Sequence, residues 1–138
     1  MRFSTTYFEV YPYEDDEVNP GILGKSLCKW VKEQLLGTRF EVTETIAEDF
    51  GYCLMIHRKP YWLWVGCQGL SDFNYPENGL SEDIATKFPL DQIEWNLWVA
   101  TEMGWLNRLL RRDNRKTDRQ DLLKLLEDRL LSIGVINI

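Results

Sequence analysis

One histidine and three cysteines in 138 residues leave little room for metal or thiol chemistry. A structural zinc site takes about four nitrogen or sulfur ligands, usually in closely spaced pairs. Cys28, Cys53 and Cys67 form no Cys-x-x-Cys pair. Cys53 and His57, on one face of an expected strand, would lie about 13 Å apart, too far to share an ion. Buried free thiols are expected, with no metal and no cofactor. A Cys28–His57 nucleophile pair is disfavoured because nothing around Cys28 resembles an activated-thiol motif. A phosphate-cradling loop is missing too: Gly24-Lys25-Ser26 has no glycine five residues earlier. No apolar run approaches the roughly 20 residues of a membrane-spanning helix. Met1 to Val10 lacks the basic start and apolar core of a secretory signal, so a cytoplasmic location with reduced thiols is expected.

What is present is aromatic and acidic. Aromatics make up 13% of the chain, including six Trp, so a core can be built and wholesale disorder is excluded. The net charge is -6, from 16 basic and 22 acidic residues. Residues 1–107 carry 8 basic and 17 acidic groups, residues 108–138 carry 8 basic and 5 acidic. Such an acidic body repels nucleic acid and anionic membranes and attracts basic proteins.

Hydrophobic periodicity orders the chain. Residues 3–11 are rich in β-branched and aromatic types and read as a strand, ended by Pro12 and the run Glu14-Asp15-Asp16-Glu17. Leu23, Leu27, Trp30, Val31 and Leu35 form one stripe of a helix over about 22–36, stopped by Gly37. Phe40, Val42 and Ile46 alternate with polar residues, as in a strand near a sheet edge. Residues 48–51 are a turn. Residues 52–57 and 61–67 form a hairpin with its tip at Arg58-Lys59-Pro60. The second of these strands is apolar on both faces, so it is central and covered twice, or one face awaits a partner. Glycine, asparagine and Pro76 make 68–80 a loop, and 83–87 a short helical turn. Residues 93–99 fit both a strand and a helix. A helical segment is expected over 104–112 and a helix over 119–132 capped by Asp118, with a broad leucine face and Gly134 at its end. Val135, Ile136 and Ile138 suit a short terminal strand. The expected fold is one α+β domain over 1–138, sheet-rich over 1–100 and helical over 104–133. Its sheet is largely antiparallel, of four to five strands, packed with a helix from the first half and with the C-terminal helices.

Two charged features invite a function. The adjacent pairs Glu48-Asp49 and Glu82-Asp83 fall on turns, where neighbouring carboxylates rarely aim at one reaction centre. Arg108, Arg111, Arg112, Arg115, Lys116 and Arg119 crowd twelve residues without interleaved aromatics. Beside so acidic a body, which repels phosphates, they do not point to nucleic-acid binding. The remaining pattern is that of a protein-binding surface. Acidic groups fall in loops (Glu14, Asp15, Asp16 and Glu17; Glu48 and Asp49; Asp72; Glu77; Glu82 and Asp83), with Phe73 and Tyr75 as aromatic anchors.

Three short motifs carry a resemblance. Gly24-Lys25-Ser26-Leu27 through Trp30, the turn Glu48-Asp49-Phe50-Gly51-Tyr52, and the strand end Leu63-Trp64-Val65-Gly66-Cys67 resemble a group of small bacterial α+β proteins, over about residues 20–70. That group implies no catalytic residues. In size, acidity and layout the chain is also loosely similar to toxin-immunity proteins. The leading expectation is therefore an inhibitor that neutralises a cognate toxin or effector by stoichiometric contact with its basic cleft. The alternatives are an enzyme or small-ligand binder with a pocket lined by Trp62, Trp64 and Trp95, and a module that homodimerises through an exposed sheet face.

Overall fold

The structure, a computed structural model, describes residues 1–74, 79–103 and 114–136. An antiparallel sheet organises them, built from β1 (Arg2–Ser4), β2 (Ile22–Leu23), β3 (Glu44–Glu48), β4 (Gly51–His57), β5 (Trp62–Ser71) and β6 (Ile93–Glu102). The strand order is β1-β6-β5-β4-β3, with β2 pairing the far end of β5. Helices α1 (Lys25–Leu35) and α3 (Arg115–Ser132) pack on one face, α1 over β4 and β5 and α3 over β6. A short α2 (Glu82–Thr86) precedes β6. The fold is a single α+β domain, as expected, with one more strand than the pattern suggested. Among the described residues no helix is long and apolar enough to cross a membrane.

Alternation sorts the central strands. Leu54, Ile56, Leu63, Val65, Cys67, Ile93, Trp95, Leu97 and Val99 point into the core with Leu27, Trp30, Val31 and Leu35 of α1. From α3 only Leu122, Leu126 and Leu130, spaced by four, are fully buried, and Leu131 is exposed, so the leucine face is narrower than expected. Residues 93–102 are a strand: their buried and half-buried positions alternate strictly over the first eight residues. The same phase puts Trp98 beside Glu94 and Asn96, on the face away from the helices.

Several expected boundaries move, each for a packing reason. Of the strand expected over residues 3–11 only Phe3 and Ser4 join the sheet, with Arg2 before them. Beyond it the chain turns inward, and Phe8 is buried with its ring 5.7 Å from that of Trp30 and 5.4 Å from that of Trp95. The strand expected from residue 40 begins at Glu44, because Phe40 leaves the sheet to enter the core. The expected loop from residue 68 is strand as far as Ser71. Glycine does not break β5 because two of its glycines admit tryptophans of β6. A Cβ on Gly66 would lie 2.2 Å from the Trp98 ring on the outer face, and one on Gly69 would lie 2.8 Å from Trp95 on the inner face. Val135 and Ile136 join no strand. The expected helical segment 104–112 and Ile138 lie outside the described residues.

α3 starts at Arg115 with Asn114 at its cap, so Asp118 is not the cap. Instead Asp118 ties the helix to the rest of the fold. It accepts a hydrogen bond from the Tyr61 hydroxyl and one of 2.6 Å from Arg39, whose other arm reaches Asp121 at 2.6 Å. Partial burial pushes the Asp118 carboxyl up, but the Tyr61 hydroxyl and the Arg39 guanidinium outweigh it, leaving its pKa below the usual 3.8. A depressed acid stabilises the fold above its unfolded pKa, and that stability is lost as pH falls through the folded value. Asp118→Asn is therefore expected to lower the urea midpoint at pH 7, with the gap from wild type closing as the pH drops below about 3.8. A gap that stays constant over that range would show that the carboxylate charge contributes nothing.

Candidate functional site

The acidic run after the first strand is not a surface loop. Glu14 and Asp15 are 0% and 4% exposed within the 3-10 turn Glu14–Glu17. The Glu14 carboxylate accepts hydrogen bonds from three backbone N–H groups, of Tyr11 (2.9 Å), Gly24 (3.1 Å) and Lys25 (2.8 Å). Gly24 and Lys25 open α1, and no side chain at its N-cap satisfies these donors, so Glu14 caps the helix from a distance. Asp16 and Glu17 are exposed, with Glu17 paired to Lys25 at 2.6 Å. Glu14 and Asp15 thus leave the expected partner-binding set, because burial removes them from any partner.

The other acidic positions scatter. Glu82 and Asp83 sit in the first turn of α2, with Asp83 paired to Lys87. Phe73 leans on Phe88, ring centroids 5.0 Å apart. Asp72, Leu70 and Glu94 line a shallow hollow of about 380 Å³ at one end of the outer sheet face. Tyr75 and Glu77 lie outside the described residues. Glu48 and Asp49 stand beside a feature that the acidic-loop reading missed.

That feature is the outer face of β3–β6, which no helix among the described residues covers. Register places Glu44, Ile46 and Glu48 of β3, Cys53 and Met55 of β4, Trp64 and Gly66 of β5, and Trp98 and Ala100 of β6 side by side. Trp98 lies flat on bare Gly66. Phe50, in the β3–β4 turn, closes a three-ring cluster, 6.2 Å from Trp64 and 5.5 Å from Trp98, with Trp64 and Trp98 also 6.2 Å apart. Gln68 holds the turn in place by donating a 2.8 Å hydrogen bond to the Phe50 carbonyl. Gly51 must be glycine: its φ is 134° and a Cβ would meet the Cys67 carbonyl at 2.5 Å. The glycines of the Glu-Asp-Phe-Gly-Tyr turn and the Trp-Val-Gly-Cys strand end therefore shape this aromatic platform.

Next to the cluster a hollow of about 370 Å³ opens to solvent. Ile46, Cys53 and Met55 floor it, Phe50, Trp62 and Trp64 wall it, and Glu48, Glu102 and Arg58 rim it. Trp62 is 44% exposed, while Phe50, Trp64 and Trp98 are half-buried. Arg58 lies over the Trp62 ring, 5.2 Å from its centroid, and pairs with Glu44 at 2.5 Å. No ion pair among the described residues engages Glu48 or Glu102, and Arg58 is taken by Glu44, so these rim residues are net acidic. The expected Trp62–Trp64–Trp95 pocket is half right. Trp62 and Trp64 line the hollow, but Trp95 points the other way and is wholly buried in the core, its indole N–H donating to the Thr5 carbonyl.

The cysteines are unpaired and buried. Burial raises all three thiols, Cys28 to about 12, Cys53 to about 11 and Cys67 well above its ordinary value, so each stays a neutral thiol. Cys53 at the floor of the hollow thus adds apolar surface. What the site offers is stacking area and negative charge. Comparison of the chain with protein-family models, with curated proteins and with solved structures finds no match.

Proposed function

We propose that this chain is a non-catalytic protein-binding module, an immunity-type inhibitor that neutralises a cognate toxin or effector by one-to-one contact. In this reading the outer sheet face docks on a basic surface of the partner. The observation that carries it is the platform of Phe50, Trp62, Trp64 and Trp98, partly open to solvent and rimmed by Glu48, Glu102 and the Glu44-paired Arg58. Clustered aromatics are costly to leave in water, and an aromatic centre within a charged rim is the composition of a protein interface. The site thus moves from the acidic loops to the sheet, keeping Glu48 and Asp72 of the expected set, with Asp49 in the adjoining turn.

The rim also argues for a different protein as partner. Two copies meeting face to face would bring two sets of the carboxylates Glu48 and Glu102 into one interface, with Arg58 of each copy already paired to Glu44. The hollow supports a second reading, a small-ligand site, because about 370 Å³ falls within the size range of ligand pockets. Capture of the tagged chain from its native host, with the product of the neighbouring gene co-expressed, separates these readings. The expected result is one dominant basic protein at one-to-one stoichiometry, associating more slowly as salt rises while dissociation changes little. A clean monomer with no partner would favour the ligand reading, and a mass twice that of the chain would favour self-association.

A further inference from the structure

We infer that the hollow beside the aromatic cluster takes the side chain of an arginine presented by the partner. This rests on the docking reading above and names the group that anchors it. The hollow combines aromatic walls, Phe50, Trp62 and Trp64, with two rim carboxylates, Glu48 beside Phe50 at one end and Glu102 beside Trp62 at the other. Aromatic faces attract organic cations through their ring quadrupoles, and a carboxylate at either end supplies a bonding partner while the other adds to the negative field.

The fold already contains one example of this chemistry. The Arg58 guanidinium lies 5.2 Å over the Trp62 ring while bonded to Glu44 at 2.5 Å. That cation is committed to Glu44, whereas Glu48 and Glu102 have no ion pair among the described residues. The hollow therefore keeps an unmatched negative charge over an apolar floor of Cys53 and Met55. A guanidinium suits it better than an ammonium: it is planar, weakly hydrated, stacks on indole, and bonds carboxylates through a rigid fork. Arginine is also enriched among the residues that dominate protein interfaces.

Tryptophan fluorescence of the whole chain, titrated with N-acetyl-arginine amide, tests this. Saturable binding is expected in roughly the millimolar range. N-acetyl-citrulline amide, its neutral counterpart, is expected not to saturate, and N-acetyl-lysine amide to bind more weakly. Glu48→Gln combined with Glu102→Gln, both exposed positions, is expected to weaken arginine binding about tenfold. Arg58→Ala, which removes the resident cation, is expected to tighten it severalfold. Equal binding of the citrulline compound, or unchanged affinity in the double variant, would overturn the inference. Capture of the partner in parallel separates it from the docking reading. A partner held equally well by the wild type and the double variant would refute the arginine anchor alone. A partner that is indifferent to Trp62→Ala as well would refute the docking face.

Discussion

Replacing Glu14 by alanine is expected to lower stability by about 3 kcal/mol or more, the largest effect of any acidic residue in the described structure. Its carboxylate is the acceptor for the backbone N–H groups of Tyr11, Gly24 and Lys25. Alanine leaves these donors without an acceptor at a buried site, and each such loss costs about 1–3 kcal/mol. It also removes the negative charge that faces the positive end of the α1 dipole. The urea midpoint measures the effect. Asp16→Ala, an exposed neighbour, should change it by less than about 0.5 kcal/mol. Similar effects for the two variants would contradict a capping role. The pH dependence has a definite sign. Burial pushes the Glu14 carboxyl up, against the pull of the three N–H groups. An acid whose folded pKa is raised loses stability as pH climbs from the unfolded value, about 4.5, through the folded one. Glu14→Gln should remove that decline while weakening the fold at every pH, since its amide sets two donors against donors.

Gly66→Ala is expected to dismantle the platform while leaving the core in place. The added methyl would stand 2.2 Å from the Trp98 ring, so the indole must leave the sheet. Overpacking of this kind costs about 1–3 kcal/mol. The displaced ring also forfeits its contacts with Phe50 and Trp64, worth about 0.5–1.5 kcal/mol each. Trp98→Ala should lower stability by itself, yet the further cost of Gly66→Ala in that background should be small, because the clash is gone. The double variant would then be more stable than the sum of the single effects predicts. Near-ultraviolet circular dichroism should lose the signature of the coupled rings in Gly66→Ala. Partner affinity should fall at least about tenfold, as for loss of an aromatic hot spot. Full additivity, or an unchanged aromatic spectrum, would show that Trp98 does not rest on Gly66.

How far these features were legible depends on what the sequence pattern reports. The stripe of period near 3.6 in residues 25–35 responds to one buried face and places α1 well, whereas residues 93–99 fit a helix as well as a strand until pairing with β1 and β5 makes them β6. The alternation also held the outer platform, since Trp98 falls in phase with Glu94 and Asn96 and out of phase with Trp95. Grouping tryptophans by identity instead of phase put Trp95 in the wrong pocket. Glu14 was illegible for a different reason. Its environment depends on backbone groups ten residues away in Gly24, and local composition reports only an acidic run. Gly69 reads as a loop residue because glycine usually breaks strands, and Gly66 reads only as one more position of an expected strand. Here their missing side chains serve the partner strand, a relation visible only once the β5–β6 register is known. Asp118 likewise has the identity of a cap, and Arg39 and Tyr61, far away in sequence, give it another task.

The central proposal is that the sheet face left open by the helices among the described residues, and not the acidic loops, binds the partner. Capture of that partner with two charge- and shape-altered chains tests it directly. One chain carries Trp62→Glu and Glu102→Lys on the face, and the other carries Asp16→Lys and Asp83→Lys on the loops. All four positions are exposed, so both chains should fold, which circular dichroism verifies. The face variant is predicted to lose the partner, and the loop variant to retain it with at most a slower association. Retention by the face variant together with loss by the loop variant would contradict the account.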